Sequence, residues 1–333
     1  MNIPTSLRRA KTPVVLTAAV LLAVSACGSA EAGSDGSDGE GGKPTGTVQV
    51  DGSSTVAPLS TVAAELFRAE NPGVEVAVGT SGTGGGFEKF CHGETDISNA
   101  SRAIEDVEAS ACRLKGVEYQ ELQVAGDGLS VVVSKDNDFV ECLTVDQLRM
   151  IWQPGSKIDN WNQVDATFPD QKLELFGPGT DSGTFDYFTG AVNGEEGASR
   201  TDYAANEDDD LIVRGVSGSV GGMGYFGHSY YEENKDQLKA LAIDGGDGCV
   251  APTVEAVQNG SYKPLARPLF IYPRASSLEK PEVAAFLDYY VENNKRIAEK
   301  ANFVPLSAEQ DAELRKDLDA LKAKQAKQAK QES

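Results

Sequence analysis

Thr47–Val50 alternates apolar and polar residues, the period of a strand with one buried face, and runs into Asp51-Gly52-Ser53-Ser54-Thr55-Val56-Ala57-Pro58. Leu59, Val62, Ala63 and Leu66 then recur at helical spacing until Asn71-Pro72-Gly73 breaks the pattern, and Val74–Val78 reads as a second strand. This β-α-β order predicts a parallel sheet. The second strand leads into a glycine turn, Gly79–Gly86, and then Phe87-Glu88-Lys89-Phe90. Thr95–Ala100 is a short strand ending at Ser101-Arg102. Tyr119–Ala125 and Leu129–Val133 read as two strands broken at Gly126-Asp127-Gly128. Thr144–Trp152 is a helix, and Trp152–Trp161 a loop whose tryptophans suit packing better than a site. Leu173–Phe176 is a strand that enters Gly177–Phe188, G-P-G-T-D-S-G-T-F-D-Y-F, where Phe185 and Phe188 fall on one helical face. Beyond a glycine turn at Ser217–Gly222, Met223–Phe226, Leu238–Ile243 and Pro268–Tyr272 are strands. Thr253–Gln258, Pro281–Val291 and Ser307–Lys324 are helices, and the Lys/Gln/Ala repeat Lys322–Gln331 reads as frayed and exposed. The fold class is α/β.

The chemistry gathers where strands give way to helices. The first N–H groups of a helix have no internal partner, and the helix dipole is positive there. Hydroxyls and glycines at such points make anion cradles. The three hydroxyl/glycine turns that follow strands, Gly52–Thr55, Gly79–Gly86 and Thr180–Thr184, all fit, although Asp and Ser are also ordinary helix caps. Neither a P-loop nor the dinucleotide fingerprint is present at Gly79–Gly86. Arg102, just after a strand, is a candidate forked donor for an oxyanion; on residues alone, a surface ion pair with Glu105 or Asp106 explains it better.

Composition narrows the partners. The chain has 333 residues, enough for two lobes with real cores, with 40% hydrophobic and 24% charged residues. A net charge of −21 weighs against nucleic acid or an anionic membrane surface, but a local set of donors overrides a distant field for a small anion. With only His92 and His228 and no C-x-x-C, no metal or cofactor is expected. Glu207–Asp210 lacks EF-hand spacing and reads as a solvated loop. An enzyme is not expected: Asp181-Ser182-Gly183 is a single D-[ST]-G, and neither histidine sits in a nucleophile-elbow context. Cys91, Cys112, Cys142 and Cys249 allow three disulfide connectivities.

At the N-terminus, Arg8, Arg9 and Lys11 precede an apolar run, Val14–Val24, too short for a confident membrane span. The following V-S-A-C resembles a bacterial lipobox, which implies removal of residues 1–26 and lipidation of Cys27. Residues 27–46, rich in Gly, Ser and acids, form a flexible tether.

D-G-S-S-T-V-A-P, S-G-T-G-G-G-F, E-T-D-I-S-N-A-S-R, G-D-G-L-S-V-V-V, D-S-G-T-F and G-G-M-G-Y-F occur in one order over Thr47–Asn302. Together they resemble the phosphate-binding lipoproteins of phosphate ABC transporters, the PstS family. The resemblance implies a type 2 periplasmic-binding-protein fold: two α/β lobes, a two-strand hinge and a ligand cleft. It places residues 47–125 and 251–306 in lobe 1, 126–250 in lobe 2, and 307–333 in a C-terminal helix and charged tail, with crossings near Val124–Gly128 and Cys249–Lys263. Pairing within lobes then gives Cys91–Cys112 and Cys142–Cys249. It implies a monomeric receptor, lipid-anchored on the outer face of the cell membrane, delivering inorganic phosphate to an ABC permease; another oxyanion (sulfate, molybdate, a phosphonate) is the alternative. Phosphate contacts fall on Ser54, Thr55, Thr83, Ser182, Gly183 and Thr184. Familiar members carry an Arg shortly before the S-G-T turn and an Asp where this chain has Arg102. Arg102 is therefore expected to supply the cation, so that Arg102→Ala cripples binding. Asp181, or failing it Asp51, is expected to accept the phosphate proton and reject sulfate.

Overall fold

The computed structural model describes residues 43–332 other than Asp181, with side chains as far as residue 327. Cys27, the signal segment and most of the tether lie outside the described residues.

The chain runs β1 (Gly46–Gly52), α1 (Ala57–Glu70), β2 (Val74–Val78), α2 (Gly82–Cys91), β3 (Ile97–Ala100), α3 (Asp106–Leu114) and the long β4 (Leu122–Ser134). It continues through β5 (Cys142–Thr144), α4 (Val145–Trp152), α5 (Trp161–Val164), β6 (Glu174–Gly177), α6 (Gly183–Asn193), β7 (Ala204–Ala205), α7 (Asp209–Ser217), β8 (Gly222–Gly227) and α8 (His228–Asn234). After β9 (Leu238–Ala240), β10 (Ala242–Asp244), β11 (Cys249–Val250) and α9 (Val254–Gln258), β12 (Ala266–Pro273) leads to α10 (Pro281–Glu292), α11 (Asn294–Lys300) and α12 (Ala308–Glu332). One sheet has the order β2-β1-β3-β12-β4-β8-β6-β7, with β9 also on β4; β11-β10-β5 form a second. β1 is parallel to β2 and β3, as the β-α-β pattern predicts, whereas β12 runs antiparallel to β3 and β4.

Two large hydrophobic cores define the lobes. One joins Val48, Leu59 and Phe67 to Val124, Ile271, Phe286 and Leu318. The other joins Leu129 and Val131 to Trp152, Trp161, Phe188, Tyr225, Tyr262 and Leu265. β4 and β12 pass between them, which is the expected type 2 arrangement. Both disulfides form as expected within lobes, Cys91–Cys112 tying α2 to α3 and Cys142–Cys249 tying β5 to β11.

Four expectations change. Gly126-Asp127-Gly128 does not break a strand: β4 is continuous there. The glycines serve packing instead, since a methyl group at Gly128 would lie 2.6 Å from Val257 Cγ2 and one at Gly126 3.0 Å from Val257 Cγ1. The return crossing is β12, not Cys249–Lys263, because Ala256, Tyr262 and Leu265 are buried in the second core. Gly82–Gly86 belongs to α2, not to a turn. Finally, α12 stays helical through Glu332; Leu314, Leu318 and Leu321 seat it on the first core, and Lys322 pairs with Asp288.

Candidate functional site

The N-terminal ends of three helices meet at a cleft of about 420 Å³. From lobe 1 come Ser53, Ser54 and Thr55 before α1, then Ser81–Gly85 at the start of α2, then Ser101 and Arg102 after β3. Close backbone packing brings these together. A methyl group at Gly86 would stand 2.4 Å from Gly52 Cα, so only glycine lets α2 lie so near the end of β1. From lobe 2 come Gly183, Asp186, Tyr187 and Glu196. A methyl group at Gly183 would be 3.4 Å from Thr55 Oγ1, a measure of how nearly the two lobes touch.

The lobe-two jaw is fixed by its own helix. Ser182 Oγ accepts the Thr184 N–H at 3.2 Å and caps α6. Phe188, the sixth residue of α6, stacks on Tyr225 with centroids 3.7 Å apart and planes at 12°, and meets Trp152 edge-on. That aromatic stack sets where the first N–H groups of α6 point.

At the rim, Arg102 forks onto Glu108, Nη1 to Oε2 and Nη2 to Oε1, both at 2.8 Å, with Glu105 3.4 Å from its Nε. The bond to Glu108 raises the pKa of Arg102; burial pushes Glu108 up, but the guanidinium and the Glu105 N–H outweigh it and hold the carboxyl low. Asp51 is a brace. It accepts from Gly52 N (2.7 Å), Ser81 N (2.9 Å), Ser81 Oγ (2.9 Å) and Lys89 Nζ (2.5 Å). Burial draws its carboxyl up, yet these four donors together bring it down to about 2.

The floor is made by Arg267 of the crossing strand β12, which is bonded to Asp127 of β4. Asp127 on β4 and Arg267 on β12 are register partners, directly opposite one another. Arg267 Nε donates to Asp127 Oδ2 at 3.1 Å, and Arg267 Nη2 donates to Thr55 Oγ1 at 3.1 Å. The guanidinium carbon lies 3.6 Å from the Tyr187 ring centroid. The Arg267 side chain is 17% exposed and that of Asp127 9%. Burial raises the pKa of Asp127 against the pull of Arg267. Among the described residues, Asp127 Oδ1 and Arg267 Nη1 have no hydrogen-bond partner.

Of the residues singled out in the sequence, Ser54, Thr55, Thr83, Arg102 and Gly183 line the cleft. Ser182 and Thr184 flank Gly183 at the helix start. Thr83 Oγ1 accepts from the Ser101 N–H at 3.2 Å and lies 3.1 Å from Ser101 Oγ. Asp51 is already saturated with donors, and Asp181 lies outside the described residues. Asp127, Arg267 and Tyr187 were missed. Their signals were an acid between two glycines in an apolar strand, an arginine opening the strong strand near Pro268, and an aromatic one turn into the α6 motif.

Residues 37–294 match the PBP superfamily domain. Among curated proteins, the chain is 49% identical over 264 residues to Protein SphX of Synechococcus elongatus, covering 78% of each. It is 39% identical over 310 residues to the phosphate-binding protein PstS of Staphylococcus saprophyticus, covering 92% of this chain and 93% of the relative. Among solved structures, a possible phosphate binding protein from Planctomyces limnophilus superposes with a TM-score of 0.80 at 44% identity, over 84% of this chain and 99% of the other. The order of strands, the two-lobed cleft and these relatives agree, and the chain belongs to the PBP superfamily, in the PstS family of phosphate-binding proteins.

Proposed function

We propose that the protein is an extracytoplasmic receptor that takes up inorganic phosphate in its interlobe cleft and delivers it to a membrane ABC permease. The observation that carries this reading is the floor pair. A half-buried arginine faces a buried carboxylate across the two crossing strands, and the arginine lines a cleft walled by helix N-termini and hydroxyls. Ser54, Thr55, Thr83 and the α6 start at Ser182, Gly183 and Thr184 donate to the anion, and Arg267 supplies the charge-assisted bonds. Arg102 contributes from the rim, screened by Glu108.

Asp127 takes the selective role that the sequence pointed to at Asp181 or Asp51. Phosphate near neutral pH still carries a proton, and sulfate does not. A carboxylate whose pKa burial has raised is a strong acceptor for that proton, whereas sulfate meets it as an unpaired like charge. Calorimetric titration tests both parts. Absence of phosphate binding sinks the receptor reading; equal affinity for sulfate, molybdate or a phosphonate sinks the selectivity.

Anchoring follows from the leader. Cleavage before Cys27 and acylation of its thiol hold the receptor at the outer face of the membrane. Cys27→Ser, expressed in the native host, is expected to release the protein from the membrane fraction; retention there counts against the anchor.

A further inference from the structure

Arg267 is restrained on three sides. Asp127 takes its Nε edge, Thr55 takes Nη2, and the Tyr187 ring covers one face at 3.6 Å. Tyr187 is itself 8% exposed, and its hydroxyl donates to Pro264 O at 2.9 Å, just before β12. We infer that Tyr187 is a positioning residue for anion binding, holding the guanidinium plane so that its free Nη edge faces the cleft.

Two features of the geometry support this. First, in-plane bonds to Asp127 and Thr55 leave the guanidinium free to tilt about its long axis, and a ring against one face removes that freedom. Second, Tyr187 belongs to α6, whose first residues, Gly183 among them, form the opposite jaw. One rigid helix therefore carries both the anion-facing N–H groups and the surface that aims the cation. Approach of the jaw and alignment of Arg267 become a single movement, with the ring held to lobe 2 by the bond to Pro264, just ahead of the crossing strand. Burial, with Asp127 adding to it, raises the phenol pKa, so the ring stays neutral through the physiological range.

The ligand part of this inference rests on the phosphate reading; the clamp does not. In ligand-free protein, the Arg267 Nε–H resonance is expected to be displaced by the Tyr187 ring current and to return toward the ordinary arginine position in Tyr187→Leu. An undisplaced wild-type resonance overturns the clamp whatever the ligand. By calorimetry with inorganic phosphate, Tyr187→Leu is expected to bind about tenfold more weakly. Tyr187→Phe, which keeps the ring face, restores most of that loss. In an Arg267→Lys background, Tyr187→Leu adds little, because its effect passes through the guanidinium. Losses that multiply in the double variant, or a Tyr187→Phe as weak as Tyr187→Leu, overturn the positioning role. Tyr187→Met serves if Tyr187→Leu does not fold. A wild type that takes up no phosphate fails the receptor reading, and the resonance alone then decides the clamp.

Discussion

Two arginine–carboxylate pairs border the same cleft and are built in opposite ways. At the rim, Arg102 and Glu108 are six residues apart in sequence, and both carboxylate oxygens are taken by the fork. The Arg102 side chain is 39% exposed. On the floor, Arg267 and Asp127 are 140 residues apart, share one bond, and sit at the hinge with an oxygen and a nitrogen uncommitted among the described residues. A saturated pair has neutralised its own charge and has little to offer an anion. An unsaturated, partly desolvated pair keeps bonding capacity in reserve, and an incoming anion can complete it. The same contrast separates the buried aspartates: Asp51, with four donors, is driven down to about 2, whereas Asp127, with one, is driven up.

The largest test of this contrast is Arg267→Ala. It removes the floor cation and leaves Asp127 buried without its partner. Phosphate affinity is expected to fall by at least about a hundredfold and the ligand-free fold to lose about 3 kcal/mol. Titration calorimetry and chemical denaturation measure the two. A loss of affinity under tenfold would place the anion's cation elsewhere.

Asp127→Asn comes next. It keeps shape but removes the proton acceptor and the like charge. Phosphate is expected to bind about tenfold or more weakly and sulfate more tightly, so the preference narrows from both sides. The pH profile sharpens the point. With its folded pKa raised, Asp127 binds its proton more tightly in the fold than when unfolded. It therefore lowers stability as pH rises from about 4 through the raised value, and Asp127→Asn should remove that fall. An unchanged preference for phosphate over sulfate in this variant would take the selective role from Asp127.

The sequence makes the rim legible and hides the floor for a physical reason. Local pattern reveals strands that enter helices, and the family resemblance then picks out Ser54, Thr55, Thr83 and the α6 start, because each candidate group comes from a few consecutive residues. Asp127 and Arg267 become partners only through the pairing of β4 with β12, a contact that no local window contains. Gly126 and Gly128 compounded the miss: flanking glycines read as a break, when their role is to admit Val257 against a continuous strand. The end of lobe 2 was misplaced for a related reason, since Tyr262 and Leu265 carry no local sign of which core they join. The disulfides followed from the lobes because each pair closes within one core's territory.

Asp51→Asn tests the brace. The folded carboxyl lies at about 2, against 3.8 for an unperturbed one. A depressed pKa gives stability that is present above the unfolded value and lost as pH falls through the folded one. The variant is expected to be about 2 kcal/mol less stable than wild type at pH 7, with the gap closing between about pH 4 and pH 2. Phosphate affinity should change far less than in the floor variants. Loss of binding with stability intact would make Asp51 a ligand group after all.

Arg102→Ala carries the smallest expected effect and is the most discriminating. From sequence, this residue was the cation of the site. In the fold its charge is countered by Glu108 and Glu105, and it is partly open to water, where such a pair contributes about 1 kcal/mol or less. Phosphate affinity is therefore expected to fall by less than about fivefold. The residual loss should shrink as salt rises, because an exposed charge acts on the anion through screened solvent. Removing Glu108 instead should free Arg102 for the cleft, so Glu108→Gln is expected to shift affinity in the opposite direction. A hundredfold loss in Arg102→Ala, insensitive to salt, would mean that the arginine leaves Glu108 for the ligand and that the rim and floor act as one site.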